Sequence, residues 1–166
     1  MIRIIYALNQ KLKKANKTSY ANSPRSSYHD TFEKDIGYWQ SSHHFVGAAL
    51  DRVKIIPDNY ALKITTQSYP SSFGVTILDK SYDVREYPVM SFDYRISPGV
   101  KTDFYLLVNS RWYNLGFTDD PIDFRNRDVN IANLGRIEGI KADDQWHSAS
   151  VNLYELLRQK NKAYNS

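Results

Sequence analysis

At 166 residues, with a formal charge of +4, 13 tyrosines and no cysteine, the chain has the length of one domain and can bury a substantial core. The missing cysteine excludes a disulfide framework and thiolate metal sites, leaving the redox compartment open. No apolar run approaches the roughly 18 to 20 residues that cross a bilayer as a helix, so no membrane span is expected.

The positive charge is unevenly placed. Arg3, Lys11, Lys13, Lys14, Lys17 and Arg25 all precede the first acid, Asp30, leaving the remainder with two more acids than bases. Residues 1–30 therefore read as a basic, flexible arm or linker, and the folded part as slightly acidic. The apolar start, Met1 to Leu8, is interrupted by Arg3 and has its basic cluster after it, the reverse of a secretory signal. It reads as the edge of a longer protein whose targeting sequence would lie upstream, which leans toward an extracytoplasmic or cell-surface setting. Because the basic charge belongs to the arm, nucleic acid is not the expected partner.

From residue 31 the pattern is one of short strands. Thr31 to Glu33 and Gly37 to Ser41 read as two short pieces, and Gly47 to Val53 as a third. Tyr60 to Thr66 follows the turn signal Pro57-Asp58-Asn59, with Tyr60, Leu62 and Ile64 on one face. Phe73 to Leu78 again places an apolar residue at every second position. The clearest strand is Val89 to Ile96, with Met90, Phe92, Tyr94 and Ile96 facing the core and Ser91, Asp93 and Arg95 facing away. Thr102 to Val108 and Arg111 to Phe117 are joined by Asn109-Ser110, a connection of hairpin length. The stretch 118–143 is long and polar, with strand pieces only at Val129 to Ile131 and Gly135 to Ile140. Trp146 to Leu153 closes the strands, with Trp39 and Trp146 expected in the core. Asn152 is placed to cap a helix carrying Leu153, Leu156, Leu157 and Lys160 on one stripe, with Glu155 at the capping-box position. Residues 31–158 then form the domain and 159–166 a tail. The spacing predicts an all-β fold.

The order Phe32-Glu33, Gly37-Tyr38-Trp39, Tyr60-Ala61-Leu62-Lys63-Ile64, Tyr87 to Tyr94, and Trp146 to Leu153 resembles the galactose-binding-like jelly-roll superfamily. Within it the chain is similar to bacterial carbohydrate-binding modules, and more distantly to the complex I assembly-factor family. The resemblance spans about residues 31 to 157 and rests on framework positions. It implies a jelly-roll β-sandwich of two antiparallel sheets with a short C-terminal helix, serving as a non-catalytic module of a larger bacterial protein. It also implies a structural calcium ion, for which Glu33, Asp35 and Asn152 stand at matching positions; the competing reading makes the two acids ordinary surface groups. No other cofactor is expected.

No catalytic constellation emerges. The chain lacks a Gly-x-Ser-x-Gly elbow, a Gly-rich phosphate loop and a His-Glu-x-x-His motif, and Asp119, Asp120, Asp123 and Asp128 read as solvated loop acids. The adjacent His43 and His44 read as an exposed polar pair, and His147 as an edge residue, not a base. The aromatic residues carry the binding argument, since a pyranose stacks its C–H face on Trp or Tyr while Asp, Asn and Arg bond its hydroxyls. The alternation places Asp93 and Arg95, Asp103 and Tyr105, and Trp112 and Asn114 on non-core faces, making these six the candidate carbohydrate platform. The alternative is a protein-interaction or assembly domain using the same face.

Overall fold

The computed structural model describes residues 3–7, 30–41, 48–56, 59–66, 74–77, 82–118 and 131–164. Its strands are β1 (Arg3–Ala7), β2 (Gln40–Ser41), β3 (Ala48–Ile56), β4 (Asn59–Thr66), β5 (Val75–Thr76), β6 (Val89–Ile96), β7 (Asp103–Val108), β8 (Arg111–Gly116), β9 (Ile131–Arg136) and β10 (His147–Asn152). One helix, α1 (Leu153–Tyr164), follows. The architecture is mostly β, with a five-stranded sheet ordered β10-β6-β1-β4-β3, a three-stranded sheet β7-β8-β9 and a small β2-β5 ladder.

The two larger sheets share one core because their strands alternate as their sequences dictate. On β6, Phe92, Tyr94 and Ile96 are buried; Leu62 and Ile64 of β4 and Tyr113 and Leu115 of β8 join them. The ring of Phe92 lies 5.5 Å from that of Phe104 on β7 and 5.4 Å from that of Phe117, which in turn is 5.1 Å from Tyr94. These tilted and edge-to-face contacts weld the five-stranded sheet to the three-stranded one.

Several features depart from the sequence expectation. Arg3–Ala7, assigned to the arm, is instead a central strand, antiparallel to β4 on one side and β6 on the other. The second sheet is not wholly antiparallel, since β8 and β9 run parallel. A parallel neighbour needs a long return connection, here residues 117–130. An extra residue on β9 shifts its register against β8, and Gly135, at φ +97°, supplies the left-handed conformation at that bulge. Finally, α1 runs to Tyr164, through most of the expected tail. No Gly or Pro follows Leu157 to stop the helix, and Arg158 pairs with Glu155 at 2.8 Å.

The segment before β2 also differs. Residues 31–39 are bends and turns, not strands. Phe32 is buried at φ +57°, Gly37 turns at φ +58°, and Gly37 N–H donates to Asp35 Oδ1 at 2.8 Å. Two tertiary anchors override the local β pattern. Trp39 Nε1–H donates to the buried Asp30 at 2.8 Å, and a Cβ at position 37 would meet that carboxylate at 2.7 Å. Arg52 of β3 stacks on Tyr60 and donates to the carbonyls of Phe32 and Glu33. Trp39 is core as expected, whereas Trp146 is only half-buried.

The Asn109-Ser110 hairpin is borne out, with both turn residues at positive φ (48° and 63°) as a type I′ turn requires. Asn tolerates this conformation and Ser less so. Ser110→Gly is expected to raise stability by about 0.5–1 kcal/mol, read as a higher urea midpoint with an unchanged slope. A lower midpoint would contradict the turn assignment.

Candidate functional site

The same hairpin builds the candidate ligand face. Phe104, Leu106 and Val108 of β7 and Tyr113 and Leu115 of β8 pack inward, so Tyr105, Leu107, Trp112 and Asn114 occupy the outer side. The register sets these residues in two rows across three strands. Leu107, Trp112 and Ile131 form an apolar row, and Tyr105, Asn114 and Asn133 a mixed one beside it. Tyr105 is 44 % exposed, Leu107 58 % and Trp112 46 %, whereas Asn114 is wholly buried. Asn114 Nδ2–H donates to Asp103 Oδ2 at 3.4 Å, and Asp103 Oδ1 accepts from Phe117 N–H at 3.2 Å. The result is two half-exposed aromatic side chains and an exposed leucine beside a buried polar centre.

No family model, curated protein or solved structure matches the chain.

The structure does not bring the six sequence-predicted platform residues together. Asp103, Tyr105, Trp112 and Asn114 share the outer side of the three-stranded sheet. Asp93 and Arg95 alternate with buried Phe92, Tyr94 and Ile96 and so face outward from the opposite sheet. There they belong to a polar ladder between β6 and β10. Ser148 Oγ–H donates to Asp93 at 2.5 Å, Ser91 Oγ and Ser150 Oγ lie 2.9 Å apart, and Arg95 grips Asp144 through two bonds near 3 Å. Alternation tells core from non-core side chains; it does not tell one outer face from the other.

Two of the three residues suggested for calcium, Asn152 and Asp35, serve local backbone contacts. Asn152 Oδ1 accepts the Glu155 N–H at 3.0 Å and so caps α1, as the sequence predicts. Glu33 and Asp35 are exposed, Asp35 serving the turn at Gly37. Among the described residues, no group of three or more His, Cys, Asp or Glu side chains is placed to hold a metal ion. His43, His44, Asp119, Asp120, Asp123 and Asp128 lie outside the described residues. Among those described, no helix is long and apolar enough to cross a membrane.

One polar pair was not foreseen. His147 packs its ring against Tyr94 at 5.6 Å, and its Nε2 lies 2.8 Å from Asp143 Oδ1. The His147 hydrogen bond holds the Asp143 carboxyl below the usual range. This pair pins the connection between β9 and β10, which is also tied by Lys141 N–H donating to the buried Tyr94 hydroxyl at 3.0 Å and by Asp144 N–H donating to Ile96 O at 2.9 Å. A depressed carboxylate contributes stability that is present above its unfolded pKa, near 4, and is lost as pH falls through the lower folded value. The Tm of Asp143→Asn should accordingly fall less steeply than wild type below about pH 4. Parallel acid limbs would remove the pair from the account.

Proposed function

We propose that the chain is a non-catalytic, jelly-roll-type β-sandwich module that binds carbohydrate on the outer face of β7 and β8. The observation that carries this reading is the exposure of Tyr105 and Trp112 on neighbouring strands of a register fixed by a two-residue turn. Two aromatic faces on a rigid sheet lose little conformational freedom on binding, and the apolar C–H face of a sugar ring complements them. Exposed Asn133 of the mixed row supplies an amide beside the stack. Its setting would be a larger, exported or surface-displayed protein.

A second reading is favoured by a specific residue. Leu107, at 58 % exposure, stands opposite Trp112 in the apolar row and two residues along β7 from Tyr105, and an aliphatic–aromatic strip also suits a docked polypeptide. The discriminating experiment is retardation of the full chain in native gels containing soluble polysaccharides, alongside a glycan array. Retention by one polysaccharide supports the module. No retention by any glycan rejects it and leaves the protein-interaction reading.

A further inference from the structure

The centre of the ligand face holds an uncompensated polar atom. Asn114 is 0 % exposed, and its Oδ1 has no hydrogen-bond partner. Burying an acceptor without a donor destabilises a fold, and a sheet position this enclosed would ordinarily take an aliphatic residue. Leucine has the same branching, with methyl groups in place of the amide oxygen and nitrogen. On the stability argument alone, asparagine is the wrong residue here.

The placement of that atom points to what satisfies it. Tyr105 stands directly opposite Asn114 on β7, Asn133 directly opposite on β9, and Trp112 two residues along on the same side. Directly opposed residues carry Cβ atoms roughly 5 Å apart, so a ring lying against Tyr105 and Trp112 sits over the Asn114 amide. The second half of the amide is already fixed, since Nδ2 donates to Asp103, and this orients Oδ1 as the acceptor. Asp103 is itself braced by the Phe117 N–H.

We propose that Asn114 is the specificity-determining residue of this face, its Oδ1 accepting a hydrogen bond from a hydroxyl of a polyhydroxylated ligand. This rests on the carbohydrate reading and narrows it: the ligand must donate at the centre of the strip, which a purely apolar peptide side chain does not. Because Asn114 is enclosed in the free protein, engagement requires a local shift that uncovers its Oδ1. A site built to bond a hydroxyl rejects the analogue that lacks it far more strongly than an apolar pocket discriminates by size.

The test is Asn114→Leu in the full chain, assayed against the polysaccharide that retards wild type, with Tm measured in parallel. The proposal expects a Tm within about 2–4 °C of wild type, because removal of the orphan acceptor offsets loss of the Asp103 bond, together with at least a tenfold loss of affinity. A lowered Tm with unchanged affinity would overturn it and make Asn114 a purely structural group. Should the leucine variant fail to fold, wild type decides: methyl hexopyranosides should compete for binding, and one monodeoxy counterpart should compete at least tenfold less well. Equal competition by every deoxy analogue overturns the proposal while leaving the carbohydrate reading intact. A wild type that binds no polysaccharide, by contrast, defeats both.

Discussion

Ile5→Pro is expected to unfold the domain or to cost at least about 3 kcal/mol, against a total stability for a domain of this size of about 5–15 kcal/mol. Ile5 sits mid-strand in β1, paired with Lys63 of β4 on one side and Arg95 of β6 on the other. A proline there removes a ladder donor and imposes a φ that a central strand does not adopt. Arg3→Pro is the matched control. Arg3 is the first residue of β1 and pairs only with Thr65, so its loss should be the smaller one. Equal Tm values for wild type and Ile5→Pro would return residues 3–7 to the arm.

Phe117→Ala is the second large effect, expected to cost about 3–5 kcal/mol in urea unfolding. Phe117 is fully buried just beyond β8, and its ring touches Phe92, Tyr94 and Phe104 at 5.1–5.4 Å. It is therefore a hinge of packing between the sheets, not one residue among many. The surrounding rings are held by two different sheets and cannot collapse into the void without moving one of them, which places the cost toward the upper end. Phe117→Leu, which refills part of the volume, should recover more than half of it. A cost below about 1 kcal/mol for the alanine variant would mean that the sheets do not meet at this cluster.

The sequence was most legible where structure is local. The alternation of β6, the Asn109-Ser110 hairpin and the Asn152 cap all depend on neighbouring residues, and each is found as read. What escaped depends on distant partners. The strand Arg-Ile-Ile-Tyr-Ala is short and leads into a basic polar run, and its pairing comes from strands some 60 and 90 residues away. The parallel pairing of β9 leaves no local signature either. Phe32 alternates correctly for a strand yet sits in a left-handed turn because Asp30, Trp39 and Arg52 fix the backbone around it.

The candidate site divides along the same line. Tyr105, Trp112 and their register were readable from alternation and turn length. The separation of Asp93 and Arg95 onto the opposite face was not, because it follows from which sheet each strand joins. Leu107 went unread as a surface residue because an isolated leucine in a strand is ordinarily counted toward the core. The enclosure of Asn114 depends on tertiary packing that no pattern of alternation encodes.

Two double variants, compared in a native gel containing the retarding polysaccharide, decide whether ligand binds on the β7–β8 outer face. Tyr105→Ala with Trp112→Ala should abolish retardation while keeping the wild-type circular dichroism spectrum, and Asp93→Ala with Arg95→Ala, on the opposite sheet, should leave it unchanged. Retardation that survives the first pair and is lost with the second would place the ligand on the polar ladder of β6 and β10 and contradict the account.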